Sequence, residues 1–137
     1  MKSVFADTSY FMALLKANDD YHDVAHAFSS SNHGPLVTTS AVIQELGARF
    51  SRAAERSLFL ALLVALDQEG SEIVHVSELL QQRAIERFAK RRDKDWSLAD
   101  CISFLVMEDR GIIEAATADR HFEEAGFVAL LRRGAHV

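Results

Sequence analysis

The stretch Ser3-Val-Phe-Ala-Asp-Thr-Ser-Tyr-Phe-Met-Ala-Leu-Leu-Lys16 decides how the chain is read. Its apolar run at residues 3 to 6 is too short for a helix and ends on an acid, Asp7. From Tyr10 to Lys16 the apolar residues recur with the helical period instead. A short strand passing directly into a helix is the opening of a βαβ unit. The same alternation continues along the chain. Further short apolar runs lie at residues 36 to 38, 72 to 76, 112 to 117 and 127 to 131. Between them, helical periodicity covers Tyr21 to Ser29, Ala41 to Phe50, Glu55 to Asp67, Glu78 to Arg91 and Leu98 to Arg110. This order predicts an α/β fold: a mostly parallel central sheet of four to five strands with helices on both faces.

With 137 residues, 49% of them hydrophobic, the chain can bury one continuous core. Pro35 and six glycines are its only punctuation, with no Gly/Ser-rich linker or repeat, so residues 1–137 are expected to form one domain. Cys101 is the only cysteine, which excludes a disulfide scaffold and a thiolate zinc cluster and favours a reducing compartment. The longest apolar run, Leu58 to Leu66, is too short to span a bilayer, and the first residues lack the pattern of a signal peptide. A cytoplasmic protein without a membrane partner is expected. The net charge of −5 runs against nucleic-acid binding, yet two basic stripes stand out. Arg83, Arg87, Lys90, Arg91 and Lys94 recur at helical spacing, and Arg49, Arg52 and Arg56 form a second set. Either stripe reads first as a solvated helix face. The first is expected to line the approach to the acids described next, because its helix leads toward Asp93, Asp95 and Ser97.

Four acids converge if the fold is right. In a doubly wound sheet, strand ends and helix starts share the carboxyl rim, where ligands bind. Asp7 ends the first strand and Asp119 follows the fourth. Asp100 closes Ser97-Leu-Ala-Asp100, which has the form of a capping box, and Glu45 lies on a helix that Thr39 or Ser40 can cap. Asp100 and Asp119 could be simple caps, since acids offset the helix dipole at N-termini. Glu45 is harder to dismiss, being beyond the first turn and flanked by Val42, Ile43 and Leu46. Several carboxylates brought together repel, and a hard divalent cation such as Mg2+ or Mn2+ is the least contrived remedy. His22 and His26, four residues apart, lack an evident third ligand and read as surface. His121 could orient a substrate phosphate or serve at a helix start.

Phe5-Ala-Asp-Thr-Ser9, the helix-borne Glu45, Ser97-Leu-Ala-Asp100 and Thr117-Ala-Asp-Arg-His-Phe122 together resemble the PIN-domain ribonucleases, especially the toxins of VapBC-type toxin–antitoxin pairs. The resemblance spans nearly the whole chain. It implies that Asp7, Glu45, Asp100 and Asp119 are the catalytic, metal-binding acids, with Thr8 or Ser9 and Thr117 as polar neighbours that face the substrate; Asp95, just ahead of the capping box, is an open candidate for an outer role. Arg87 and Lys90 are the candidate contacts to the RNA backbone. The implied reaction is metal-dependent hydrolysis of RNA phosphodiester bonds. A cognate antitoxin and a homodimer are the implied protein partners. An antitoxin tail would need a groove; Tyr10, Phe11 and Leu14 read first as core by periodicity and otherwise as such a groove near the entrance.

Three alternatives stand beside this reading. A PIN-domain nuclease of ordinary RNA processing differs only in its target, and the absence of an appended RNA-binding module favours a toxin. A receiver or phosphatase-like domain also holds Mg2+ with acids at a parallel-sheet rim, but Ser9 occupies the place of the second acid in Asp-x-Asp and no lysine follows Lys94. A non-catalytic docking module would not need all four acids.

Overall fold

The computed structural model describes residues 2–134. The elements run β1 (Val4–Ala6), α1 (Thr8–Leu15), α2 (His22–Ser30), β2 (Leu36–Thr39), α3 (Ser40–Arg49), α4 (Arg56–Gln68), β3 (Glu72–Val74), α5 (Glu78–Lys90), α6 (Leu98–Arg110), β4 (Glu114–Ala116), α7 (Arg120–Glu124), β5 (Val128–Ala129) and α8 (Leu130–Gly134). The strands form one sheet in the order β3-β2-β1-β4-β5, and every pairing is parallel.

The sequence explains which strand is central. β1 and β2 are buried along their whole length, as strands covered on both faces must be. Phe5 sits between Val37 of β2 and Ala115 of β4. β3 is an edge strand whose Glu72 is exposed and gripped by Arg110 through two hydrogen bonds of 2.6 and 2.7 Å. From β1 the sheet grows one way through β2 and β3, then the other way through β4 and β5. Right-handed crossovers therefore send α1 to α4 to one face and α5 to α7 to the other. Their directions diverge between β1 and β4, and the carboxyl ends of that pair make the crevice in which such sheets bind ligands.

α6 is the central helix of its layer. All seven residues from Cys101 to Met107 are buried, so the helix is apolar around most of its circumference, enclosed by the sheet, α5 and α7. Phe104 meets Trp96 and Phe122 edge-on at 5.0 and 5.1 Å. Gly111 ends the helix at φ 65°, a conformation that only glycine adopts without strain, and Ile112 N–H then bonds back to the Met107 carbonyl.

Two boundaries differ from expectation, for local reasons. The apolar run at 112 to 117 yields a strand only over Glu114–Ala116, because Ile112 belongs to the helix stop just described. The run at 127 to 131 is a two-residue strand that turns straight into α8, with Leu131 buried and its N–H bonded to the Thr117 carbonyl. α7 was not visible in the periodicity, being a five-residue helix that starts at Asp119. Tyr10 and Phe11 belong to the core, at 2% and 1% exposure. With Leu14 and residues of α4 they do line a cavity of about 290 Å3, but it shares no residue with the acidic cleft below. No helix among the described residues is long and apolar enough to cross a membrane.

Candidate active site

β1 delivers Asp7 to the crevice. Asp7 is the N-cap of α1, yet its side chain makes no capping bond. Its Oδ2 instead accepts hydrogen bonds from Thr117 Oγ1 at 2.9 Å and Ser9 Oγ at 3.1 Å. Thr117 follows β4, so this bond joins the two central strand ends. The hydroxyls are held in turn. Ser9 Oγ accepts from Ala118 N–H at 2.9 Å, and Thr117 Oγ1 accepts from Asp119 N–H at 3.0 Å. A carboxylate held chiefly by ordered hydroxyls, with no capping bond to the helix beside it, is not placed there as an ordinary cap.

Asp100 and Asp119 serve both roles. Asp100 completes the capping box with Ser97, its Oδ2 accepting from Ser97 N–H at 3.0 Å. Asp119 caps α7 through Oδ1, which accepts from His121 N–H at 2.9 Å. Each keeps its other oxygen out of these bonds. His121 Nδ1 lies 3.1 Å from Asp100 Oδ2 and 3.4 Å from Asp119 Oδ1, bridging the two acids. One ligand atom from each of Asp100, Asp119 and His121 falls within 4.8 Å of the others, an arrangement that could hold a metal ion.

Glu45 comes from the second turn of α3, whose N-cap is Thr39. Its Oε1 accepts from Thr8 Oγ1 at 2.6 Å, and its Oε2 is 3.8 Å from Arg49. All four acids line one cleft of about 440 Å3, together with Thr8, Ser9 and His121. Asp95 lines it too.

The electrostatics show the cost of this gathering. Burial pushes the Asp7 carboxyl up to about 6, the Thr117 hydrogen bond pulls against it, and the charge of Asp100 raises it further. Asp100 is also raised, first by burial, with the Ser97 N–H opposing and the charge of Asp119 adding to the rise. Like charges are thus held close together, and a divalent ion bound by oxygen ligands would relieve that repulsion. Thr117→Val should destabilise the protein by about 1–3 kcal/mol, since it strips Asp7 of the donor that most favours its charged form. The loss should grow as pH rises above about 6, where Asp7 must ionise without that donor; urea denaturation at pH 5 and pH 8 measures it.

The structure does not bring Arg87 and Lys90 to the acids. They line a second cavity with Arg83, Arg91 and Trp96 that shares no residue with the acidic cleft. In this structure the arginines of the stripe turn to neighbouring acids. Arg83 grips Asp109 and Arg87 grips Glu108 on α6, each through two bonds of 2.6 to 3.0 Å. Arg91 pairs with Asp93 and lies 4.9 Å over the Trp96 ring. His22 and His26 remain a pair, with ring centroids 6.2 Å apart, and join no group of three ligands among the described residues.

Sequence reasoning missed Asp19, Tyr21 and Met12, which also line the cleft, and the placement of Arg49 there. Asp19 sits in the loop between α1 and α2, its Oδ1 accepting from Tyr21 N–H at 2.8 Å. Asn18-Asp19-Asp20 signals a turn, and nothing in it distinguishes an acid aimed at a site from an ordinary turn residue.

A family model described as "PIN domain" matches residues 4–128. The 23S rRNA-specific endonuclease VapC20 of Mycobacterium tuberculosis, from two strains, is 29% identical over 125 residues, covering 91% of this chain and 95% of that protein. The crystal structure of M. tuberculosis VapC20, described as a sarcin-ricin loop cleaving toxin, superimposes with a TM-score of 0.83 at 28% identity, over 91% of this chain and 96% of that one.

Proposed function

Since this chain belongs to the PIN-domain family, we propose that it is a divalent-metal-dependent endoribonuclease that hydrolyses RNA phosphodiester bonds as the toxin of a toxin–antitoxin pair. The observation that carries the reading is the single cleft lined by Asp7, Glu45, Asp100 and Asp119, in a chain that matches a ribosomal-RNA endonuclease over almost its whole length. The family match sets aside the receiver and phosphatase-like alternative.

Asp7, Asp100 and Asp119 would hold Mg2+ or Mn2+, with Glu45 as a further ligand or as the acceptor of a proton from water. The presence of an imidazole in the group suits Mn2+ at least as well as Mg2+, which favours oxygen ligands alone. A bound ion supplies Lewis-acid polarisation of the phosphoryl oxygen and a water of lowered pKa. The protein's part is to hold its acids in place before substrate arrives. Thr117 and Ser9 fix the oxygen of Asp7 that faces them, Thr8 fixes Glu45, and Ser97 and His121 fix Asp100. Such second contacts orient ligands and are worth about 10–100-fold in metal affinity or activity when removed. An antitoxin and a second copy of the chain are the protein partners proposed with this function, and the cytoplasm is its proposed compartment.

The test is cleavage of a 23S rRNA fragment containing the sarcin-ricin loop, beside an unstructured RNA, by protein treated with a chelator and then given Mg2+ or Mn2+. Cleavage that returns only with metal is the expected result. A protein that cleaves neither RNA with either ion, or cleaves both fully in excess chelator, overturns the proposal.

A further inference from the structure

An acid-lined cleft must admit a polyanion. A bound metal would offset repulsion at the scissile phosphate, but the neighbouring phosphates of the strand would still meet a cleft lined by Asp19, Asp95 and Asp119. A cation is needed beside them. Among the described residues lining the cleft, Arg49 is the only arginine or lysine.

Arg49 is held loosely, as Arg120 is by Glu124 at 3.5 Å, and unlike the arginines that make paired carboxylate bonds. Arg83, Arg87 and Arg110 are each locked to a carboxylate by two hydrogen bonds of 2.6 to 3.0 Å. Arg49 approaches Glu45 only to 3.8 Å, and its side chain is 56% exposed. An exposed pair of this kind holds its partners weakly. The guanidinium is therefore free to leave for a better acceptor, and a phosphate that takes two N–H groups at once is such an acceptor. Its departure would not loosen Glu45, because Thr8 Oγ1 stays on Oε1 while Oε2 is released to the cleft.

We propose that Arg49 is a positioning residue that exchanges Glu45 for a phosphate flanking the scissile bond, so that the RNA strand enters over the C-terminal end of α3. This rests on the RNA-cleaving reading above. The position also offsets the negative end of the α3 dipole, which would otherwise repel a strand there.

The experiment measures steady-state cleavage of a single-stranded RNA by the wild type, Arg49→Ala, Arg49→Lys and the double variant Arg87→Ala/Lys90→Ala. RNA binding is measured across a salt series with the same substitutions in an Asp100→Asn background. Arg49→Ala should raise KM about 10-fold or more with a smaller change in kcat, and make the log–log salt slope shallower by about 0.7, the loss of one phosphate contact on a single strand. Arg49→Lys should restore the slope and only part of the affinity, because an ammonium is a point charge without the two-pronged geometry. The double variant should match the wild type in both. An unchanged KM and slope in Arg49→Ala, a loss confined to kcat, or the same changes appearing in the double variant would overturn the proposal. A wild type that cleaves no RNA with either metal is a different result: it removes the RNA-cleaving reading itself.

Discussion

Replacing Asp7 by Asn is expected to lower RNA cleavage by at least about 100-fold while raising the melting temperature at neutral pH. Asn keeps the shape of the side chain and an oxygen to accept from Thr117 and Ser9, while removing the charge and turning the other oxygen into an NH2. That charge works against the fold. Asp7 has a pKa of about 6 in the folded protein against an ordinary 3.8, so the folded state holds its proton more tightly than the unfolded chain. Its contribution to stability is fully present below about pH 4 and is lost as pH rises through about 6. The difference corresponds to about 3 kcal/mol, taking roughly 1.4 kcal/mol per pKa unit. Asp7→Asn should therefore melt several degrees above the wild type at pH 8, with the gap closing toward pH 4. Asp100→Asn should show the same loss of cleavage and a gap of the same sign, since burial and Asp119 raise that acid too. Melts followed by circular dichroism decide it. Wholesale unfolding of both variants would mean that these acids hold the fold rather than serve a site.

Mn2+ or Mg2+ added to chelator-treated protein should raise the melting temperature of the wild type and leave that of Asp7→Asn nearly unchanged. A ligand that binds only the folded state stabilises it by mass action, about 2.7 kcal/mol at 100 times its Kd. The gain should shrink below pH 6, where protons compete for Asp7. Ca2+ should also stabilise the wild type yet support little cleavage, being larger and looser in its coordination. A melt of the wild type that does not respond to millimolar ion would remove the metal from the site.

Much of this arrangement was legible along the chain because its signals are local. Val4-Phe5-Ala6 before Asp7 marks a buried strand ending at an acid, and Ser97 with Asp100 marks a helix start; both stand as read. The mostly parallel sheet followed from the alternation of short apolar runs with helical periodicity. What the chain concealed depends on contacts between distant residues. The basic stripe on α5 has the period of a binding face, but its arginines are claimed by acids 21 and 26 residues further on, and no one-dimensional pattern announces that pairing. Arg49 lay in the less favoured stripe, and only the packing of α3 beside α1 brings it to the cleft. The short α7 and α8 have too few residues for periodicity to register, and are set by the Asp119 cap and by the burial of Leu131.

The hydrogen bond from Thr117 to Asp7 spans 110 positions of sequence. A ribosome makes Asp7 well before it reaches the strand that carries its partner. At about 5–20 residues added per second, on the order of ten seconds separate the two. Throughout that interval β1 has no β4 beside it, and Asp7 lacks both Thr117 and the Asp119–His121 side of the cleft. Pairings so far apart are also slow to form once the whole chain is available. The carboxylate site therefore cannot assemble until both strands have been made, and until then the growing chain carries Asp7 without the partner that holds it.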